Sequence, residues 1–66
     1  MDIGTKLRIT DLKGQGFGVG NGDEVVTVEP PEVVDGKPNK YKGGPWVYDP
    51  KRKEPIRLLS GEYKII

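Results

Sequence analysis

Ten glycines and six prolines punctuate a chain of sixty-six residues. Between them lie short runs in which apolar and polar residues alternate. None of these runs places apolar residues at i, i+3, i+4 and i+7, the spacing that buries one face of a helix. Glycine and proline at this level can accompany disorder when they follow no pattern. Here they fall between alternating runs and mark turns. The chain is therefore expected to be all-β, with no α-helix longer than one turn.

Five strands follow from the alternation. Lys6-Leu7-Arg8-Ile9-Thr10 turns Leu7 and Ile9 to a core and its polar residues to water. Asp23 to Glu29 is rich in β-branched residues, with Val26 and Val28 on one face and Val25 and Thr27 on the other. Pro30-Pro31 ends it, because proline cannot donate to a ladder. Trp46-Val47-Tyr48 is the third strand and Ile56-Arg57-Leu58 the fourth. The fifth is Glu62 to Ile66, with Tyr63 and Ile65 on one face. Between the first two strands, residues 14–22 carry glycine at every second position, which predicts an irregular loop. Phe17 and Val19 would tack that loop to the core, and Asn21-Gly22 predicts a type I′ turn. Residues 32–44 read as a second loop, with Val33-Val34 pairing briefly beyond an Asp35-Gly36 turn. Asp49 to Glu54 reads as a turn with Pro50 at its second position, and Leu59-Ser60-Gly61 as a tight turn.

Size and composition narrow the chemistry. Residues 1–66 make a single domain. A domain this small buries only about 60% of the surface its unfolded chain exposes, so its core is thin. It has no Cys and no His. Disulfides, Cys/His zinc sites and thiol chemistry are thereby excluded, and no metal or cofactor is expected. No stretch approaches the roughly 18 apolar residues of a membrane span. The N-terminus lacks the basic and apolar regions of a signal peptide. A cytoplasmic setting is the expectation. The formal charge is +1, with eleven basic and ten acidic residues. That balance does not announce nucleic acid as a partner.

The order of these pieces resembles an SH3-type barrel. A first strand and a long loop lead to a strand opened by Gly22-Asp23-Glu24. A variable loop then leads to a strand that begins at Trp46, after Gly43-Gly44-Pro45. Ser60-Gly61-Glu62-Tyr63 is similar to the turn and tyrosine that close many SH3 domains. The resemblance covers about residues 4–66. Peptide-binding SH3 domains open their long loop with an aromatic-rich motif, and Ile9-Thr10-Asp11-Leu12 stands there instead. The opening Gly4 to Ile9 looks like bacterial and phage SH3-like proteins, and like small accessory subunits of photosynthetic and redox complexes. Such members bind proteins without a peptide groove. The resemblance implies a small five-stranded SH3-like barrel, with long glycine-rich and proline-rich loops, that binds a protein partner.

Candidate sites follow from residue type. Trp46 and Tyr48 fall on one face of their strand, opposite Val47. Exposed, they would give rigid contact area of the kind found at binding hot spots. Packed inward, Trp46 would be core. With Phe17, Tyr41 and Tyr63 they make the candidate partner-binding set. Lys40, Lys42, Lys51, Arg52, Lys53 and Arg57 form a candidate basic patch that could meet phosphates, with Tyr41 or Trp46 stacking on bases. Asp49 and Glu54 flank the Lys51-Arg52-Lys53 tip and partly neutralise it. The glycine run Gly16-Phe17-Gly18-Val19 lacks the spacing and the following Lys-Ser/Thr of a phosphate loop. The carboxylates are scattered, and a thin core offers little burial to tune a general base. A non-enzymatic protein-binding or accessory module is the leading expectation, with RNA or DNA binding through the basic patch as the alternative.

Overall fold

The computed structural model describes residues 2–66. Seven short strands follow in order: β1 (Lys6–Ile9), β2 (Glu24–Val26), β3 (Val33–Val34), β4 (Lys37–Pro38), β5 (Trp46–Asp49), β6 (Glu54–Arg57) and β7 (Tyr63–Ile65). No helix occurs among the described residues. The all-β expectation holds. The strands make three small sheets, β2-β1-β7, β3-β4 and β5-β6, all antiparallel. These sheets are small and do not by themselves make a five-stranded barrel. Two further strands, β3 and β4, appear in the second loop, and the sheets remain unclosed.

β2 is short. Its regular pairing with β1 stops at Val26, opposite Lys6. Thr27 keeps backbone hydrogen bonds to Gly4 and Thr5, each 2.9 Å, and also bridges Val47, while the Val28 amide donates to the Trp46 carbonyl at 2.7 Å. The chain thus runs β7-β1-β2-β5-β6 through neighbours, but the β2-to-β5 step is one bridge wide. The second strand is shorter than residues 23–29. The fourth begins earlier than expected, at Glu54, because Glu54 and Pro55 pair with Asp49 and Tyr48. Proline is tolerated there because β6 is an edge strand.

The core is Leu7 and Ile9 from β1, Val47 and Ile56 from the β5–β6 hairpin, and Leu58 just beyond it. Full burial of such a side chain stabilises by about 1.5–3 kcal/mol. Leu12, Phe17, Val19, Val25 and Tyr63 pack around this centre half-buried. Phe17 and Val19 therefore do hold the glycine-rich loop down. Val25 faces inward and Val26 outward, as the alternation requires.

Two turns contrast. Asp35 and Gly36 both have positive φ, 52° and 75°, and join β3 to β4 as a two-residue type I′ loop. At Asn21-Gly22 only Gly22 is positive, at 92°, so the expected type I′ turn does not form. The Asn21 side chain explains why. Its Oδ1 accepts from the Leu12 amide at 2.8 Å, so the residue ties two arms of the loop together. The Asp23 amide closes the turn on the Gly20 carbonyl at 3.1 Å.

Among the described residues, three polar side chains are buried: Thr27, Asp49 and Glu62. Each serves the backbone of an irregular segment. Thr27 Oγ1 accepts from the Thr5 amide at 2.9 Å and donates to the Asp2 carbonyl at 2.8 Å. Glu62 Oε2 accepts from the Lys13 amide at 2.8 Å, and Oε1 from the Leu59 amide at 2.6 Å. The Glu62 carbonyl takes the Thr10 and Asp11 amides as well. One residue therefore fixes both the exit of β1 and the turn before β7.

Glu62 should matter as much as a core leucine. Truncating Leu58 to Ala removes apolar burial and leaves a cavity, a loss of about 2–4 kcal/mol. Glu62→Ala strands two amides at about 1–3 kcal/mol each. Urea melts at neutral pH should give comparable losses for the two variants. A Glu62→Ala loss below about 0.5 kcal/mol, the size of an ordinary surface change, would show that water serves those amides equally well.

Candidate functional site

The outer face of the β5–β6 hairpin brings together most of the aromatic residues singled out in the sequence. The Thr27–Val47 bridge sets Val26 across from Tyr48, and Tyr48 lies opposite Pro55. Val26 and Tyr48 are about half exposed and Pro55 is half-buried. The three make an apolar row across β2, β5 and β6. One position along β5 on the same face stands Trp46, opposite Arg57.

Trp46 and Tyr48 do share a face, as alternation demands, but they do not share an environment. Trp46 is only 6% exposed, against 49% for Tyr48. Trp46 is therefore not an exposed anchor. The segment carrying the β3–β4 hairpin lies beside it, and its indole Nε1 donates to the Tyr41 carbonyl at 2.8 Å. A cavity of about 220 Å³ remains between them, lined by Pro31, Val33, Val34, Trp46 and Pro55 together with Asp35 and Glu54. Pro55 joins the Val26–Tyr48 row to this cavity. Val33 is exposed at its rim.

Asn39 shapes the covering segment. Its Nδ2 donates to the Pro31 carbonyl, its Oδ1 accepts from the Tyr41 amide, and its own amide donates to the Glu32 carbonyl. Tyr41 is exposed, and the Arg57 guanidinium lies over its ring at 4.1 Å. A second cavity, of about 380 Å³, lies along the hairpin and the arm after it, between Val34, Pro38 and Tyr41.

The remaining aromatic candidates lie elsewhere. Tyr63 sits on β7 opposite Ile9 and packs half-buried against the core. Phe17 packs on the core as well, and the Arg52 guanidinium lies over it at 4.4 Å. Neither joins Tyr41 and Tyr48 on the outer face.

The basic residues do not form one patch. Lys51, Arg52 and Lys53 occupy the β5–β6 turn, while Arg57 pairs with Trp46 at the opposite end of that hairpin. Lys40 and Lys42 follow the β3–β4 hairpin, and Lys42 pairs with Glu32. Arg52 also donates to the Gln15 carbonyl at 3.4 Å and stands 3.8 Å from Asp49. Three of the six cations are thus engaged inside the molecule.

Asp49 is the residue that sequence reasoning undervalued. It reads as an ordinary turn acid but is fully buried. Its Oδ1 accepts from the amides of Gly18 at 2.7 Å and Lys51 at 3.0 Å, while Oδ2 accepts no hydrogen bond. The glycine-rich loop crosses so close that a Cβ on Gly18 would sit 2.7 Å from the Lys51 nitrogen. Only glycine fits at that crossing. Burial pushes the Asp49 pKa up, but the amides of Gly18, Lys51 and Arg52 and the Arg52 charge outweigh it and hold the value below the ordinary aspartate range. The one sequence signal was the Asp-Pro pair, which marks a side chain turned back on its own turn.

Both buried carboxylates are occupied by backbone amides. No group of three or more His, Cys, Asp or Glu placed to hold a metal occurs among the described residues. No helix there is long and apolar enough to cross a membrane. Comparison with protein-family models, curated proteins and solved structures finds no match.

Trp46 is the chain's single tryptophan and reports directly on this site. Its emission should be blue-shifted and poorly quenched by acrylamide. A red-shifted, readily quenched signal would place the ring outside the covering segment. Asp49 makes a second prediction. Because its folded-state pKa is depressed, the ionised form adds stability above the unfolded value of about 3.9. That contribution is lost as pH falls through the lower folded-state value. Between pH 7 and pH 3 the wild type should lose more stability than Asp49→Asn in urea melts. Equal losses would remove Asp49 from the acid response.

Proposed function

We propose that this chain is a non-enzymatic protein-binding module on an SH3-like frame, of bacterial or phage type, that docks through the outer face of its β5–β6 hairpin. The observation that carries the reading is the apolar surface running from Val26 through Tyr48 and Pro55 to the cavity beside Trp46. Half-exposed aromatic and β-branched side chains beside a preformed cavity of mixed polar and apolar lining suit an interface core. The frame supports the reading too. The five longer strands follow one another as neighbours from β7 through β1, β2 and β5 to β6. A small SH3-like barrel is wound in that way.

Both buried acids are engaged in holding loops. Binding, with the chain acting as an adaptor or accessory subunit, is the activity this geometry fits. The placement of the chain in the cytoplasm belongs to the same proposal.

Tyr48 carries the test because it is exposed and no core residue depends on it. Tyr48→Ala should shift stability by no more than about 0.5 kcal/mol, as exposed changes do. In affinity capture from bacterial lysate, the proteins retained by the wild type should be lost or reduced about tenfold with Tyr48→Ala, the scale of a hot-spot side chain. The reading fails if both proteins retain the same material. It also fails if nuclease treatment releases what is retained.

A further inference from the structure

Charge is distributed unevenly along this chain. Residues 2–36 hold three cations and seven carboxylates, a net charge of −4. Residues 37–57 hold seven cations and two carboxylates, a net charge of +5. The near-neutral total conceals a chain whose charges are segregated along its length. The positive segment comprises β4, the arm that follows it and the β5–β6 hairpin. One of its two carboxylates, Asp49, is buried under the glycine-rich loop.

The larger cavity opens inside this basic segment. Its apolar walls are Val34, Pro38 and Tyr41, and Lys37 and Lys40 stand beside them with Asp35 as the one carboxylate. Lys37 and Lys40 are exposed, and among the described residues neither enters a salt bridge. Their neighbours are spoken for: Lys42 pairs with Glu32, and Arg57 covers Tyr41. An apolar recess flanked by two uncommitted ammonium groups has a definite complement.

We infer that this cavity receives a large apolar side chain from an acidic segment of the partner protein, whose carboxylates meet Lys37 and Lys40. The inference rests on the protein-binding reading and adds the partner's chemistry to it. A polypeptide is favoured over nucleic acid by the state of the aromatic rings. Base stacking beside cations needs a free ring. Arg57 already lies on Tyr41, the ring that stands beside Lys37 and Lys40, Arg52 lies on Phe17, Trp46 is buried, and the free ring of Tyr48 does not line this cavity. The aliphatic walls Val34 and Pro38 suit a leucine, isoleucine or phenylalanine side chain. Charge at the rim governs encounter and partner choice more than raw affinity, so the acidity of the partner should show most clearly at low salt.

A random dodecapeptide display library, selected against the immobilised 66-residue protein, tests this. Enriched peptides should carry Asp or Glu within a few residues of a large apolar side chain. As synthetic peptides, they should bind the Lys37→Glu/Lys40→Glu variant about tenfold more weakly, and bind the wild type several-fold more weakly once salt shortens the Debye length from about 10 Å to a few ångströms. Circular dichroism and Trp46 emission verify that the variant stays folded. Enrichment of neutral, basic or proline-rich peptides that ignore the lysine exchange overturns the acidic chemistry and leaves the protein-binding reading standing. Failure to enrich any peptide overturns the inference, while the Tyr48 comparison still judges the reading. Tight binding of oligo(dT) or poly(U) with no peptide enriched overturns both.

Discussion

Backbone amides in irregular segments must find acceptors, and this chain has more irregular segment than ladder. A strand passes that problem to its neighbour, but a glycine-rich loop has no neighbour to use. Side-chain oxygens at the edge of the core take over the work. Thr27 holds the segment before β1, Glu62 holds the exit of β1 and the last turn, and Asp49 holds the glycine-rich loop against the β5–β6 turn. A buried acceptor without donors would be a heavy penalty. With amide donors in place, the same groups become the joints of a small fold. The five-residue apolar core then needs only to fill the space these joints enclose.

The pattern of alternation made much of this legible. Leu7 and Ile9 inward, Val25 and Val26 on opposite faces and the Asp35-Gly36 turn all follow from period two and from turn chemistry. Closure did not follow, because it depends on how far each ladder continues, and that is decided by tertiary pairing. Regular pairing with β1 ends after three residues, and Thr27 then bridges Val47 while its backbone stays hydrogen-bonded to Gly4 and Thr5; nothing in Val25-Val26-Thr27-Val28 announces that change. Asp49 was hidden for a related reason. Whether a turn aspartate is exposed or buried depends on what crosses it, and the crossing chain lies 31 residues away in sequence.

The candidate site shows the same division between local and distant information. The shared face of Trp46 and Tyr48 is a local fact, fixed by strand geometry. Their different exposure is a distant one, fixed by the segment that Asn39 folds over Trp46 but that stops short of Tyr48. The basic residues, contiguous in the eye of a sequence reader, separate because a hairpin sends Lys51 and Arg57 to opposite ends. What the sequence read as one patch is two neighbourhoods with different company.

The β3–β4 hairpin pairs only with itself and shares no ladder with the other sheets. It is closed by its own Asp35-Gly36 loop and by Asn39, and it reaches the frame through side chains. An insertion at its tip breaks no strand register, and each doubling of loop length costs only about 0.6 kcal/mol. The frame and the covering hairpin are therefore separable parts, one conserving shape and the other free to be rewritten. A lineage of such chains could retune what it recognises by editing a dozen residues while the remaining strands stay as they are.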